Sequence, residues 1–375
     1  MRMSSSPICL LVASCCFASH AAQYRVTDLG AGVYPVAIND GGQVVAQKVN
    51  QTGRTEAFLI DDIGETPITH PDADSVYVTG INNLGQVVGS GRDAIGRDHA
   101  FLWEVSAGWQ FLLNDSEYRS YAWSINNNGV VAVEQDSHAR LLFPDGSAAE
   151  LGTLGGLYSV PFAVNDSEVA VGLSEVRSAV QREFIWKSGE IAELGAAAAV
   201  THDHADYSVA IDINNSGDSV GWTQVYTGEY ELRPSGSKRY LYEEYGFLSV
   251  GGSISPMLVP NARFLAIGEN GDAFGSRFLV DPQSGPDIWA AVALRSGRLV
   301  DLNSEIVGVT GVHLETAFDS NGRGQILASG WFGNSDVRRN PIHGFILTPA
   351  PEPTSIGPIA LAATAQTWRR RVRST

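Results

Sequence analysis

The stretch that decides the fold runs Gly80-Ile81-Asn82-Asn83-Leu84-Gly85-Gln86-Val87-Val88-Gly89 and, after a polar interval, His99-Ala100-Phe101-Leu102-Trp103. An apolar strand enters Asn-Asn-x-Gly, where Asn tolerates the left-handed region and Gly supplies positive φ, so the chain reverses. A second strand follows at Gln86 to Gly89, and a third at Phe101 to Trp103.

The same pattern is written seven times. The further copies of the turn are Ile38-Asn39-Asp40-Gly41-Gly42, Ile125-Asn126-Asn127-Asn128-Gly129, Val164-Asn165-Asp166-Ser167-Glu168, Ile213-Asn214-Asn215-Ser216-Gly217, Ile267-Gly268-Glu269-Asn270-Gly271 and Ser320-Asn321-Gly322-Arg323-Gly324. The intervals between successive turns are 43, 44, 39, 49, 54 and 53 residues. Self-similarity at about 40 to 50 residues fits one four-stranded propeller blade per copy. Third strands are predicted at Ala57-Phe58-Leu59, Phe184-Ile185-Trp186, Tyr240-Leu241-Tyr242 and Phe345-Ile346-Leu347. Fourth strands are predicted at Trp109 to Leu113, Glu150-Leu151, Ile191 to Leu194, Phe247 to Val250 and Leu299 to Leu302.

The seventh copy stops at its third strand, whereas Tyr24 to Leu29 forms an unclaimed strand that reads like a fourth. The expected architecture is therefore all-β: a seven-repeat, propeller-like ring of four-stranded blades over residues 23–349, with strand 24–29 completing the last blade. Closure removes the exposed sheet edges that make open β arrays associate. An open β-solenoid is the alternative at this repeat length. Glu168 stands where the other six copies have Gly, so either that turn changes type or Glu168 bears a left-handed penalty. Insertions at 195–207, 226–237 and 275–287 are expected to gather on one face, the default binding surface.

Composition agrees with many short strands: Gly 40, Pro 16 and only 3 Met in 375 residues, without helix-length amphipathic runs in the body. Residues 23–350 carry 20 basic and 40 acidic side chains, a net of 20 − 40 = −20. Such a surface repels phosphate backbones and anionic lipid heads, which argues against nucleic-acid binding.

The ends read as targeting segments. Residues 1–22 combine Arg2, an apolar run from Ile8 to Phe17 and small residues at Ser19, Ala21 and Ala22, the layout of a secretory signal peptide cleaved near Ala22 or Gln23. Cys9, Cys15 and Cys16 all fall inside it, which leaves the exported body without a disulfide. Val12-Ala13-Ser14-Cys15 also resembles a lipobox, which would make Cys15 a lipidated terminus. At the other end, residues 350–375 run from Pro351-Glu352-Pro353 through a short apolar stretch to Arg369-Arg370-Arg371. That stretch is too short to span a bilayer, although the Arg cluster would halt translocation.

The repeat resembles the bacterial extracellular HAF-repeat family, named for the residues at His99-Ala100-Phe101, and the tail resembles a PEP-CTERM sorting signal. The first resemblance implies a role in biofilm or exopolysaccharide-associated surface layers. The second implies an exosortase-type enzyme as partner, with transient membrane contact through the tail. The tail departs from the signal in its Ala content and in Pro358.

Three motifs bear on chemistry. Gly217-Asp218-Ser219-Val220-Gly221 matches a nucleophile elbow, but Ser219 falls in a second strand with no helix after it. His202, His204 and Asp206 resemble part of the metal-binding run of metallo-β-lactamase-like hydrolases and are zinc candidates, with Tyr207 where a final His belongs. Asp212, Asn214, Ser216 and Asp218 resemble the start of an EF-hand calcium loop, but Thr223 replaces the bidentate Glu. A poorer copy lies at Asp319 to Gly324. The His99 position, occupied by Glu183, Arg239 or His343 elsewhere, suits solvent. The expected function is a non-enzymatic binding or structural scaffold of the envelope or matrix, contacting extracellular polysaccharide. A propeller-based hydrolase or lyase, or a calcium-dependent carbohydrate-binding protein, is the alternative.

Overall fold

A computed structural model describes residues 23–70, 73–113, 118–177, 180–195, 207–232, 238–279, 288–333 and 341–351. These residues form an all-β propeller; the only helical element among them is one 3₁₀ turn, Leu302–Glu305. Both end segments, apart from Ala350 and Pro351, lie outside the described residues.

The turn chemistry sets each sheet. Gly85 takes φ +78° and its N–H returns to the Asn82 carbonyl at 3.0 Å, closing the inner hairpin of the second repeat. Strands Ala73–Ile81, Val87–Asp93, Asp98–Glu104 and Gly108–Phe111 then pair antiparallel in chain order. Five such four-stranded sheets are separate. Seven separate sheets are predicted from the sequence, and here the structure differs. Strands Ser159–Val164 to Glu190–Glu193 and Tyr207–Ile213 to Ser253–Pro260, the fourth and fifth repeats, belong to one eight-stranded sheet. Its two halves meet in a single parallel bridge, Gln181 to Tyr207, because the fifth repeat's inner strand begins beside the fourth repeat's third strand.

The N-terminal strand lies as expected. Tyr24–Ala31 pairs antiparallel with His343–Pro349, from Tyr24 opposite Pro349 to Ala31 opposite His343, so one sheet joins the two ends of the body.

The fifth repeat departs from its predicted strands. Lys238–Val250 is one long third strand, placing Phe247 rather than Tyr240-Leu241-Tyr242 in the slot of Phe101 and Phe184; its fourth strand is Ser253–Pro260. The cause is the insertion, which lengthens Ser219–Leu232 and Lys238–Val250 into a projecting hairpin and shifts the repeat spacing. In four repeats the slot holds a fully buried Phe: Phe101, Phe184, Phe247 and Phe345. The partners on the second strand are Gly89, Gly172 and Gly221 for the first three and Ala328 for Phe345. A Cβ at Gly221 would overlap the Val209 carbonyl and stand 2.8 Å from the Phe247 ring.

The His99 position is not solvent-facing. His99 Nε2 lies 3.1 Å from an Asp93 carboxylate oxygen, His343 Nδ1 lies 2.9 Å from Asp28, and Glu183 is fully buried. Each sheet packs between the sheets on either side, Phe101 facing the first repeat and Ala100 the third, so both faces of the third strand are covered. Glu168 keeps the common turn, its N–H donating to the Asn165 carbonyl at 3.0 Å, and does so at φ +62°.

Two outcomes follow. Glu168→Gly relieves a left-handed backbone on an exposed turn and is expected to raise stability by about 1 kcal/mol, read as a higher urea midpoint at unchanged m. Deleting residues 24–30 exposes the His343–Pro349 edge and is expected to lower Tm and cause aggregation, checked by calorimetry and light scattering.

Candidate functional site

The innermost strands of all seven repeats surround a central channel, and its cavity of about 330 Å³ opens at the Asn-Asn-x-Gly turns. Two relays of hydrogen bonds build that mouth. In the first, the leading Asn of every turn but the sixth folds its own turn and reaches the next. Asn82 Oδ1 accepts from its own Gln86 N–H at 3.0 Å, while Nδ2 donates to the Asn126 carbonyl of the next turn at 3.0 Å. The same donation runs from Asn39 to Asn82, from Asn126 to Asn165, from Asn165 to Asn214, from Asn214 to Gly268 and from Asn321 to Asn39.

In the second relay the next residue turns outward, and its side-chain oxygen accepts the N–H of the preceding turn. Asn83 accepts from Asp40 at 2.8 Å, Asn127 from Asn83 at 2.9 Å, Asp166 from Asn127 at 2.8 Å and Asn215 from Asp166 at 2.8 Å. Glu269 accepts from Asn215 at 3.2 Å and Asp40 from Gly322 at 2.6 Å. The mouth thus carries the carboxylates of Asp40, Asp166 and Glu269 alternating with amides. Both relays lapse at one boundary: Gly268 has no amide to offer the seventh turn, and Gly322 has no side chain to receive the sixth.

Deeper in the channel the wall turns apolar. Every inner strand slips register by one residue just before the turn, as between Ala122 and Ser124 or Pro161 and Ala163. The extra residues, Val36, Thr79, Trp123, Phe162, Ile211, Leu265 and Phe318, line the channel, with Trp123 and Phe162 in edge contact at 5.0 Å.

Two further carboxylates sit at this level. Asp212 Oδ2 accepts from Ile267 N–H and its Oδ1 from Ile213 N–H, each at 2.8 Å. Asp319 Oδ2 accepts from Ile38 N–H at 2.8 Å and its Oδ1 from Ser320 N–H at 2.7 Å. Desolvation in the narrow channel pushes Asp212 up to about 6, against the pull of its two backbone donors. It pushes Asp319 up to about 7, with the nearby charges of Asp212 and Asp40 adding to the rise.

The calcium candidates therefore have structural occupations. Asp212 bridges to the sixth repeat, Asn214 belongs to the amide relay, and Asp218 accepts the Gly251 N–H at 2.8 Å. Ser216 is exposed at the turn tip. No group of three or more His, Cys, Asp or Glu side chains is arranged to hold a metal among the described residues. His202, His204 and Asp206 lie outside those residues, as do Glu352, Pro353, Arg369, Arg370 and Arg371; Pro351 is exposed at the body's end. Ser219 begins a strand, is fully buried and has no hydrogen-bond partner for its hydroxyl, which is no place for a nucleophile. Sequence reasoning missed Asp319 as a channel group. The signal was present, since Asp212 and Asp319 are the two acidic residues at a position otherwise filled by Ala37, Gly80, Ser124, Ala163 and Ala266.

No family model and no curated protein matches the chain. Among solved structures it is similar to the β-propeller domain of the Trilobed protease from Pyrococcus furiosus, at 8% identity over 90% of this chain and 99% of that one, with a TM-score of 0.48. It is also similar to the WD40 propeller domain of Doa1, at 11% identity over 88% and 97% of the two chains and a TM-score of 0.44. With TolB from Acinetobacter baumannii the match is 11% identical over 63% of this chain, with a TM-score of 0.41, and spans 54% of TolB.

A raised folded-state pKa means the native chain holds a proton that the unfolded chain, with Asp near 3.9, has already released. That contribution is fully present below about pH 4 and is lost as pH rises through about 7. The Tm is expected to fall from pH 5 to pH 8, and Asp319→Asn to flatten part of that fall, read by scanning calorimetry across the range.

Proposed function

We propose that this chain is an exported, non-enzymatic binding scaffold of the cell envelope or extracellular matrix, delivered by a signal peptide at 1–22 and sorted through residues 350–375 by an exosortase-type enzyme. Extracellular polysaccharide is the intended ligand. In this reading the eight-stranded sheet serves as two blades, making the ring seven-bladed.

The observation that carries the reading is how the repeat's signature is spent. The residues that recur, Asn82, Asn83 and their counterparts, are consumed in joining one turn to the next. A sequence repeated to build a ring supports a scaffold, and leaves recognition to the parts that vary. The strands flanking the insertions at 195–207, 226–237 and 275–287 meet them at the end of the sheets opposite the turns. Both ends of the body leave at the turn face: Ala350 N–H donates to the Gln23 carbonyl at 2.7 Å, and Gln325 beside the seventh turn donates to Thr348. A tail anchored in a membrane would therefore hold the turn face inward and present the insertions outward.

The alternative, a hydrolase or lyase, is favoured by one observation: Asp212 and Asp319 share the channel with raised affinity for protons, as acid–base groups require. Each carboxylate oxygen nevertheless holds a backbone N–H, which suits a structural strut.

Mass spectrometry and fractionation of the chain made in an exosortase-bearing bacterium test the proposal. The mature chain is expected to begin near Ala22 or Gln23, to lack the tail and to co-fractionate with matrix polysaccharide. Without the exosortase it is expected to keep the tail and stay with the membrane. A cytoplasmic chain of full length overturns the reading, and a lipidated Cys15 overturns ordinary signal cleavage.

A further inference from the structure

At the end of the channel away from the turns, a second cavity of about 300 Å³ opens between the second and third repeats. Thr79 and Trp123 line both cavities, so it is reached from the channel's far side. Its chemistry differs from the mouth. Tyr77, Tyr121 and Trp123 supply aromatic surface from two adjacent inner strands. Across them runs a fixed polar set centred on Asp98, a carboxylate with 1% exposure. Arg92 Nε donates to Asp98 Oδ1 at 2.9 Å and Nη2 to Oδ2 at 3.2 Å, while the Tyr121 hydroxyl donates to Oδ2 at 2.8 Å. The guanidinium lies 5.5 Å over the Tyr77 ring. Arg92 and Asp98 neutralise each other, so the cavity has no net charge of its own.

We infer that this cavity is the polysaccharide subsite of the scaffold, taking one or two neutral hexopyranose residues. A pyranose ring has an apolar C–H face that packs on Tyr and Trp and a rim of hydroxyls that needs fixed donors and acceptors, the combination that Tyr77, Trp123, Tyr121 and Arg92 present. The volume sits at the lower end of the range for ligand pockets, about 300–1,000 Å³, which fits a sugar unit rather than a bulkier group. An acidic sugar is disfavoured by a body of net charge −20 and by a cavity whose one guanidinium is already paired.

The equivalent place three repeats further on, between the fifth and sixth, is filled by the protein itself. There the inner strand carries Arg263 where the second and third repeats carry Tyr, with its guanidinium 4.5 Å over Trp222 and 5.3 Å over Trp289 and bonded to Glu244 at 2.6 and 2.9 Å. There Arg263 fills with its own side chain the space between the aromatic rings, whereas between the second and third repeats the cavity stays open.

The inference rests on the polysaccharide-scaffold reading, and its test separates the two. Cellobiose, maltose and lactose, with digalacturonate as acidic control, are titrated into the full chain by calorimetry and by saturation-transfer NMR. Saturable binding of at least one neutral disaccharide is expected, with transfer to its ring C–H protons. Tyr77→Ala is expected to weaken it by about tenfold, the equivalent of about 1.4 kcal/mol. Arg92→Gln, which keeps a side-chain donor toward Asp98 and whose folding is checked by its Tm, is expected to weaken it similarly, and Tyr230→Ala on the distant hairpin to leave it unchanged. No saturable binding of any neutral disaccharide, equal binding by the Arg92→Gln chain, or preference for digalacturonate overturns the inference. If the Tyr77 and Arg92 variants still co-fractionate with matrix polysaccharide, the scaffold reading stands and this subsite falls; if the unaltered chain neither binds sugars nor co-fractionates, both fall.

Discussion

The interaction on which the rest depends is the donation from a buried turn asparagine to the carbonyl of the next turn. A primary amide has two donors and one acceptor with two lone pairs, and burying it is costly unless they are used. Asn82 solves this by folding its own turn with Oδ1 and gripping its neighbour with Nδ2. A turn and a joint between sheets are thus made by one side chain. Aspartate in its place would fold the turn but have no proton for the neighbour's carbonyl, and alanine would leave that carbonyl buried without a partner. This explains why the first Asn is nearly invariant among the seven copies while the second alternates with Asp and Glu: the first must donate, the second only has to accept.

A ring of relays closes only if every member contributes, and here one boundary defaults. Gly268 and Gly322 leave the sixth and seventh turns without either inner bond. The same boundary is tied elsewhere. Arg295 of the sixth repeat donates to Glu305 at 2.7 Å and to the Tyr24 hydroxyl at 2.7 Å and pairs with Asp272 at 3.3 Å, joining that repeat, the connecting 3₁₀ turn and the N-terminal strand. Tyr24, Phe274, Leu302 and Leu314 pack in one apolar cluster behind it. Apolar burial and a half-buried ion cluster offset what the inner relay lacks, and they do so where the chain's two ends are stitched into one sheet.

How much of this was legible in the sequence follows from what kind of signal each feature leaves. The turn motif and its spacing leave a local signal, so the repeat, its hairpins and the closing role of Tyr24–Ala31 could be read directly. The long hairpin at Ser219–Leu232 and Lys238–Val250 defeated strand assignment because Tyr240-Leu241-Tyr242 has the same apolar alternation as Phe247's neighbourhood, and only pairing register tells them apart. The merging of the fourth and fifth repeats rests on one bridge and leaves no pattern at all. The Asp212 to Asp218 spacing looked like cation chemistry because Asx-rich turns and calcium loops draw on the same residues. The destination of each oxygen distinguishes them, and that is a property of the neighbouring repeat.

The positions of the two cavities follow from the same division of labour. The turn face is built from the recurring residues, so its polar atoms are already paired with one another, and Asp166 alone receives the amides of Asn127 and Asn215. A ligand arriving there must compete with bonds that hold the ring together. The opposite face is free of that duty: its residues differ from repeat to repeat, and between the second and third repeats they leave aromatic surface beside a neutralised ion pair. Specific recognition in a repeat ring belongs where symmetry is broken, because a ligand without matching symmetry gains nothing from contacts repeated around the circle. Here the break at Arg92, Asp98 and Trp123 coincides with open volume, whereas the break at Gly268 and Gly322 coincides with a packed seam.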